Sequence, residues 1–415
     1  MKKYFPFIFT LISCFTTILA QEENFFLIAR NKGEKILTTG DTIRTFGFAR
    51  KLSEQPGVPG PTLVVKEGDS VHIDLLNMSQ GAPHTIHLHG LDVDQQNDGV
   101  PHLSFEIPHM EHGFYHFKAP HPGTYLYHCH VASTIHVQAG MYGLIIVKPS
   151  DGSNKTWDGG ESFVNEHSYF LSEIDTVWHR DSVLLHPYDT SHVMNHIQIP
   201  HFDPQFFLIN GLSDQQLLDS NVVFESSMGQ QDFVRLANIG FCGVRVIFPQ
   251  QLKARIVSSD GRPFETEESS DTIYVYPGER YGVLTKSSVE FSDQIRFEYL
   301  DLNTNQLKNT QVIPVSVQGQ LGLPNFDQEE ITAQLVPNPF YGNTDLHLSL
   351  REGRELTFKI YDLQGRLVEE HEERFFTVGQ HEVALGKSLR ESGIYTLQII
   401  SAGNVIQLEK LLRLE

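Results

Sequence analysis

The stretch YLYHCHVASTIHVQAGMYG, Tyr125–Gly143, packs three histidines, a cysteine and a methionine into the fourteen positions from His128 to Met141. Its opening, TYLYHCHV, reads as a β-strand. In extended chain, neighbouring side chains point to opposite faces. His128 and His130 then share one face and Cys129 takes the other. A second cluster lies some forty residues upstream, in HTIHLHG (His84–Gly90). If that segment is extended, His87 and His89 share a face, and His84, at odd offset, takes the other. Two donor sets emerge. The first is His84 and Cys129, with His136 and Met141 available from the loop that follows. The second is His87, His89, His128 and His130.

Two imidazoles, a thiolate and a thioether are the donors of a mononuclear electron-transfer copper centre with a weak axial methionine. The second set is all imidazole, which suits copper or zinc. Cys129 lies between His128 and His130, so an electron arriving at a metal on its sulfur has a short bonded path to a metal on those histidines. One such pair of histidines in a strand is a common accident. Two pairs, one of them enclosing a cysteine and followed by an outlying histidine and methionine, are not.

Outward from these motifs, the histidines remain uneven: twelve of the 21 fall between His72 and His136. A chain of 415 residues is expected to form two or three domains. SVHIDLLN alternates Val71, Ile73 and Leu75 against His72 and Asp74, as a half-buried strand does. YGLIIVKP and RIVSSDG read as further strands, and no long amphipathic helix is evident. The expected class is all-β, built of sandwiches. Two polar stretches read as linkers, Lys148–Glu161 and Gly322–Thr332. They divide the chain into units of roughly 22–149, 160–320 and 333–415.

A net charge of −20 without a basic patch excludes nucleic acid as a partner. Residues 1–20, with Lys2, Lys3, an apolar run and Ala20, read as a secretory signal. Processing as a lipoprotein at Cys14, in LISC, is the alternative. Removing the leader leaves Cys129 and Cys242, too few for a disulfide scaffold. Counting alone permits a bridge between them, but the histidines around Cys129 favour a ligand, and Cys242 reads as a small buried residue.

At this point the sequence resembles the multicopper oxidase and cupredoxin superfamily, in its two-domain form. GVPGPTLVVKEGDSVHIDLLN, HTIHLHG, NDGVP and PGTYLYHCH carry the resemblance, together with the His136-to-Met141 spacing. It covers about residues 25–320. It implies two Greek-key cupredoxin sandwiches, the first binding copper, with a type 1 copper on His84, Cys129, His136 and Met141. It implies further that His87 serves a type 2 copper and that His89, His128 and His130 serve a type 3 pair. Cys129, His128 and His130 would be the catalytic residues. FFLING, VRLANIG, SSDGRPF and YPGERYGVL in the second unit are similar to the family's non-metal domain. The last unit is similar to the C-terminal sorting domain of the type IX secretion system, through VPNPF, LTFKIYDLQGRLV, ESGIYTLQI and KLLRLE. That implies a small β-sandwich, export through the periplasm and outer membrane by that machinery, and a secreted or cell-surface protein. His347, His371 and His381 there read as surface residues.

The sequence departs from the family in one respect. A full trinuclear cluster takes eight histidines in four pairs, and this chain offers two pairs. The second unit has none to give. The expectation is a homo-oligomer in which two first domains meet about a two-fold axis and pool eight imidazoles. The enzyme would then be laccase-like, passing electrons from a small reducing substrate to dioxygen. Two other readings stay open: an enzyme like the copper nitrite reductases, and a non-enzymatic electron-transfer or copper-binding protein.

Overall fold

The computed structural model describes residues 21–185, 199–319, 331–362, 365–401 and 404–414. The expected leader (1–20), His186, His192, His196 and nearly all of the second linker lie outside the described residues. The chain divides into two compact units, Met1–Gly319 and Gln320–Glu415. Two of the three sandwich segments expected from the sequence therefore share one unit.

In the first sandwich, one sheet is built from β1 (Glu22–Ile36), β2 (Thr42–Ala49), β4 (Ser70–Asn77) and β6 (His112–Lys118), in the order β2-β1-β4-β6. The other holds β3 (Leu63–Lys66), β5 (His87–His89), β7 (Gly123–His128) and β8 (Tyr142–Lys148), in the order β3-β8-β7-β5. Period-two alternation decides which side chains turn inward. Val71, Ile73 and Leu75 of β4 and Tyr115 and Phe117 of β6 share one core with Tyr125, Tyr127, Ile145 and Val147 of the second sheet. The buried Tyr115 hydroxyl accepts the Ile86 N–H at 2.9 Å, fixing the segment that carries His84 to His89. The short β5 then pairs antiparallel with β7, setting His87 against His128 and His89 against Leu126.

The chain leaves β7 at His128 and turns through α1 (Ser133–Ala139) before β8. The Cys129 N–H donates to the Met141 carbonyl at 3.0 Å, and the Met141 N–H donates to the His136 carbonyl at 3.0 Å. Gly140 ends the helix at φ 114°. A Cβ there would lie 2.8 Å from the Phe46 carbonyl oxygen. Only glycine meets both demands.

The second sandwich has a six-stranded and a five-stranded sheet around a core that includes Leu171, Val234, Val246, Phe297 and Val315. It joins the first through a continuous apolar seam of Leu126, Leu144, Phe170 and Ala237. A buried polar bridge reinforces the seam: Arg235 donates from Nη1 to Thr124 Oγ1 at 3.0 Å and from Nε to Glu166, which also pairs with Lys148. The unit from Gln320 onward holds a three-stranded and a four-stranded sheet, with its own core of Leu346, Leu348, Phe358, Ile360, Leu397 and Ile399. His347 there is exposed, whereas His371 and His381 are half-buried; His371 holds the buried Glu369 at 2.9 Å and His381 packs edge-on to Phe376. Cys129 and Cys242 are both buried free thiols.

Candidate metal centre

His84 lies just before β5, Cys129 just after β7, and His136 in α1. The helix replaces the loop expected from the sequence. Cys129 Sγ stands 3.5 Å from His84 Nδ1 and 3.3 Å from His136 Nδ1. All three side chains are shut off from solvent. His84 is held on both sides by backbone bonds to Ile107, at 3.1 and 3.0 Å, and the Phe46 ring packs 5.6 Å from that of His136. Met141 is equally buried, in the same core, with its backbone tied to Cys129 and His136.

Burial sets the protonation of this group. It pushes the His84 imidazole down to about 3, so at neutral pH the ring is uncharged and offers a lone pair. It pushes the Cys129 thiol up to about 11. A thiol so placed becomes a thiolate only opposite a cation. Two Nδ1 atoms and one sulfur converge on a single point, and that donor set fits copper.

On the outer side of the same turn, His87, His89 and His128 bring donor atoms within 4.8 Å of one another. His89 Nδ1 is 3.4 Å from His128 Nε2. His87 donates Nδ1–H to the Asp98 carbonyl at 2.8 Å, and His128 donates Nδ1–H to the Cys129 carbonyl at 3.1 Å. These bonds fix both tautomers and leave each Nε2 as the donor atom. The Asp98 carbonyl is in reach because the chain turns tightly at Gly99, where a Cβ would fall 1.8 Å from the Ile86 carbonyl oxygen. His130 stands beside this trio rather than within it. Its ring is 5.3 Å from that of His87 and stacks on His128 at 6.0 Å. Burial lowers the pKa of all three strand-end rings whose shifts are resolved: His128 to about 3, His89 to about 4, and His130 in the same direction.

The sequence reading missed Arg280. This residue of the second sandwich is nearly buried and reaches the first, donating to the Thr124 carbonyl at 3.3 Å and the Gly278 carbonyl at 2.6 Å, and pairing with Asp260 at 2.8 Å. Its charge, after burial, is the next cause of the depressed His89 pKa. A Cβ on Gly90 would fall 2.0 Å from its Nη2, so HTIHLHG must end in glycine. The only sequence signal was its place in YPGERYG, and nothing local there suggests a reach across 156 residues.

A buried Cys-His-His group beside a ring of imidazoles, on tandem β-sandwiches, defines a copper protein of the cupredoxin type. The comparisons with known proteins narrow this. Residues 54–152 and 171–305 each match a multicopper oxidase family model, and residues 334–412 match a secretion system C-terminal sorting domain. The chain belongs to the multicopper oxidase superfamily, with a type IX sorting domain at its C-terminal end, and copper is its cofactor. A copper-containing nitrite reductase of Alcaligenes xylosoxydans is 32% identical over 31% of this chain and 38% of its own length. Copper resistance protein A of Escherichia coli is 35% identical over 33% of this chain and 22% of its own length. The chain thus spans well under half the length of either relative. The crystal structure of a blue copper oxidase from Nitrosomonas europaea superposes with a TM-score of 0.57, covering 74% of this chain and 89% of the other, at 24% identity. At that identity the likeness is one of fold.

Proposed function

We propose that the protein is an exported copper-dependent oxidoreductase, laccase-like, that takes electrons from a small reducing substrate and delivers them to dioxygen. The observation that carries this reading is the junction His128–Cys129–His130. One short peptide stretch supplies the sulfur of the first donor set and two imidazoles beside it. His84, Cys129, His136 and Met141 would hold a type 1 copper; His87 a type 2 copper; and His89, His128 and His130 a type 3 pair. Copper, when bound, would supply one-electron redox chemistry at both sets.

The chain's own residues do the rest. The closed core around Cys129 and Phe46 keeps water from the thiolate. The Asp98 and Cys129 carbonyls hold His87 and His128 in one tautomer, with Nε2 of each turned out as the donor atom. The covalent path from Sγ through the Cys129 backbone to the flanking rings would link the two donor sets for electron transfer. The methionine donor favours a moderate potential at the first set. Four imidazoles are half of what four-electron chemistry needs, so a second copy about a two-fold axis is proposed to supply the others. The sorting domain supports delivery to the cell surface or beyond, through the type IX machinery.

Copper per chain, mass in solution and oxygen uptake with a reducing phenol test the reading together. It expects an oligomer with two copper ions or more per chain and dioxygen consumption. A monomer with one copper per chain and no oxygen uptake would overturn it. A second reading has its own support: the tight trio of His87, His89 and His128, with His130 outside it, is a mononuclear three-imidazole set. Under that reading the enzyme resembles the copper nitrite reductases among its relatives, and nitrite rather than dioxygen would be turned over.

A further inference from the structure

We propose that the outer face of the first sandwich carries a separate transition-metal site, held by His72 and His116 and independent of the buried copper donors. The two residues are register partners on β4 and β6. Their Nδ1 atoms are in direct contact, and the rings meet edge-on with centroids 4.6 Å apart. The alternation that sends Val71, Ile73, Tyr115 and Phe117 into the core sends both histidines outward. His72 is half-buried and His116 exposed, so an ion reaches them from solvent. They share no side chain with either set described above.

Three features favour a metal over a simple ring-to-ring hydrogen bond. First, Glu22 Oε1 lies 3.7 Å from Nε2 of His72, the nitrogen remote from His116. A carboxylate there places negative charge beside the imidazole and so favours a bound cation. Second, the backbone is stiff where ligation needs it. Strand β4 pairs on one side with β1 and on the other with β6, and the His116 N–H is anchored to Asn97 Oδ1 at 2.6 Å. Third, the neighbouring histidine and carboxylate on this face are already engaged with each other: Asp74 accepts from His112 Nδ1 at 2.7 Å, and the His112 ring stacks on Phe26 and on Phe114. Two facing imidazole nitrogens can share at most one proton. A divalent ion that prefers imidazole, Cu2+ before Zn2+, satisfies both lone pairs at once. With two protein ligands and the remaining positions open to water, such an ion exchanges readily, unlike one enclosed by Cys129.

The test uses the full chain, equilibrium dialysis against Cu2+ and, separately, Zn2+, with metal counted per chain. The double variant His72→Ala/His116→Ala should bind one equivalent fewer of either ion, while the thiolate-to-copper absorption of the Cys129 centre stays unchanged. Glu22→Gln should keep the equivalent but weaken it several-fold. Equal metal counts in the double variant and the parent would overturn the proposal, as would loss of the Cys129 absorption together with the equivalent. Because the readout is metal count, failure of the oxidase reading leaves this result untouched.

Discussion

At the scale of single residues, the decisive fact is what burial does to groups that carry charge in water. Cys129 and His84 are both fully enclosed, and burial drives each toward its neutral form. A cation is what repays the enclosure of the sulfur. Cys129→Ser should therefore abolish the visible thiolate-to-copper absorption and lower copper by one per chain, with the far-ultraviolet circular dichroism unchanged. Retention of both colour and copper would refute the assignment. Glu173 gives a second case away from the metal. It is buried in the second sandwich, accepts the Phe241 N–H, and burial raises its carboxyl to about 7. A carboxyl raised above its unfolded value near 4.5 contributes stability that is complete below pH 4.5 and fades as pH climbs to 7. At two to three pH units, the change is about 3 kcal/mol. The difference in denaturant midpoint between Glu173→Gln and the parent should therefore shift in the variant's favour as pH rises from 4.5 to 7.5, because only the parent carries this carboxyl.

At the scale of elements, the parity of extended chain made most of the donor arrangement legible. HTIHLHG separates His84 from His87 and His89, TYLYHCHV separates Cys129 from His128, and the β5–β7 pairing sets those segments side by side. The class of fold was legible for the same reason, since alternation such as Val71, Ile73, Leu75 needs no partner to be read. Three things were not. The segment holding His136 is a helix of seven residues, too short for a 3.6-residue pattern to register, with an Ala132 cap that offers no side-chain bond. His130 follows His128 by two residues, yet the strand ends at His128, and beyond it alternation no longer dictates direction. Arg280 arrives by tertiary packing alone. The helix yields its own prediction. Gly140→Ala places a methyl group against the Phe46 carbonyl at a φ that alanine disfavours. The cost should be about 2–4 kcal/mol. Because Gly140 lies between His136 and Met141, the thiolate-to-copper band should shift or weaken even where the variant stays folded.

At the scale of the whole molecule, stability and export sit in separable parts. Within the first unit, the two sandwiches are joined by an apolar seam with Arg235 inside it, and Arg235→Met would leave Glu166 with Lys148 as its one remaining cation among these three. That loss should cost about 2–4 kcal/mol, read as a lower denaturant midpoint for the whole unit rather than for one sandwich. The residues from Gln320 onward behave differently, because their core is made entirely from their own strands. Leu346 and Leu348 face Phe358, Ile360, Leu397 and Ile399 in one cluster, and among the described residues none before Ile331 belongs to it. A protein ended at Gly319 should therefore keep its copper, its colour and its melting temperature, losing only the calorimetric transition of the sorting domain. In the producing cell the same shortened protein should fail to reach the surface. If shortening instead bleached the copper band or lowered the melting temperature of the remaining unit by more than about 5 °C, the parts would be thermodynamically coupled, and sorting could not be removed without disturbing the metal centre.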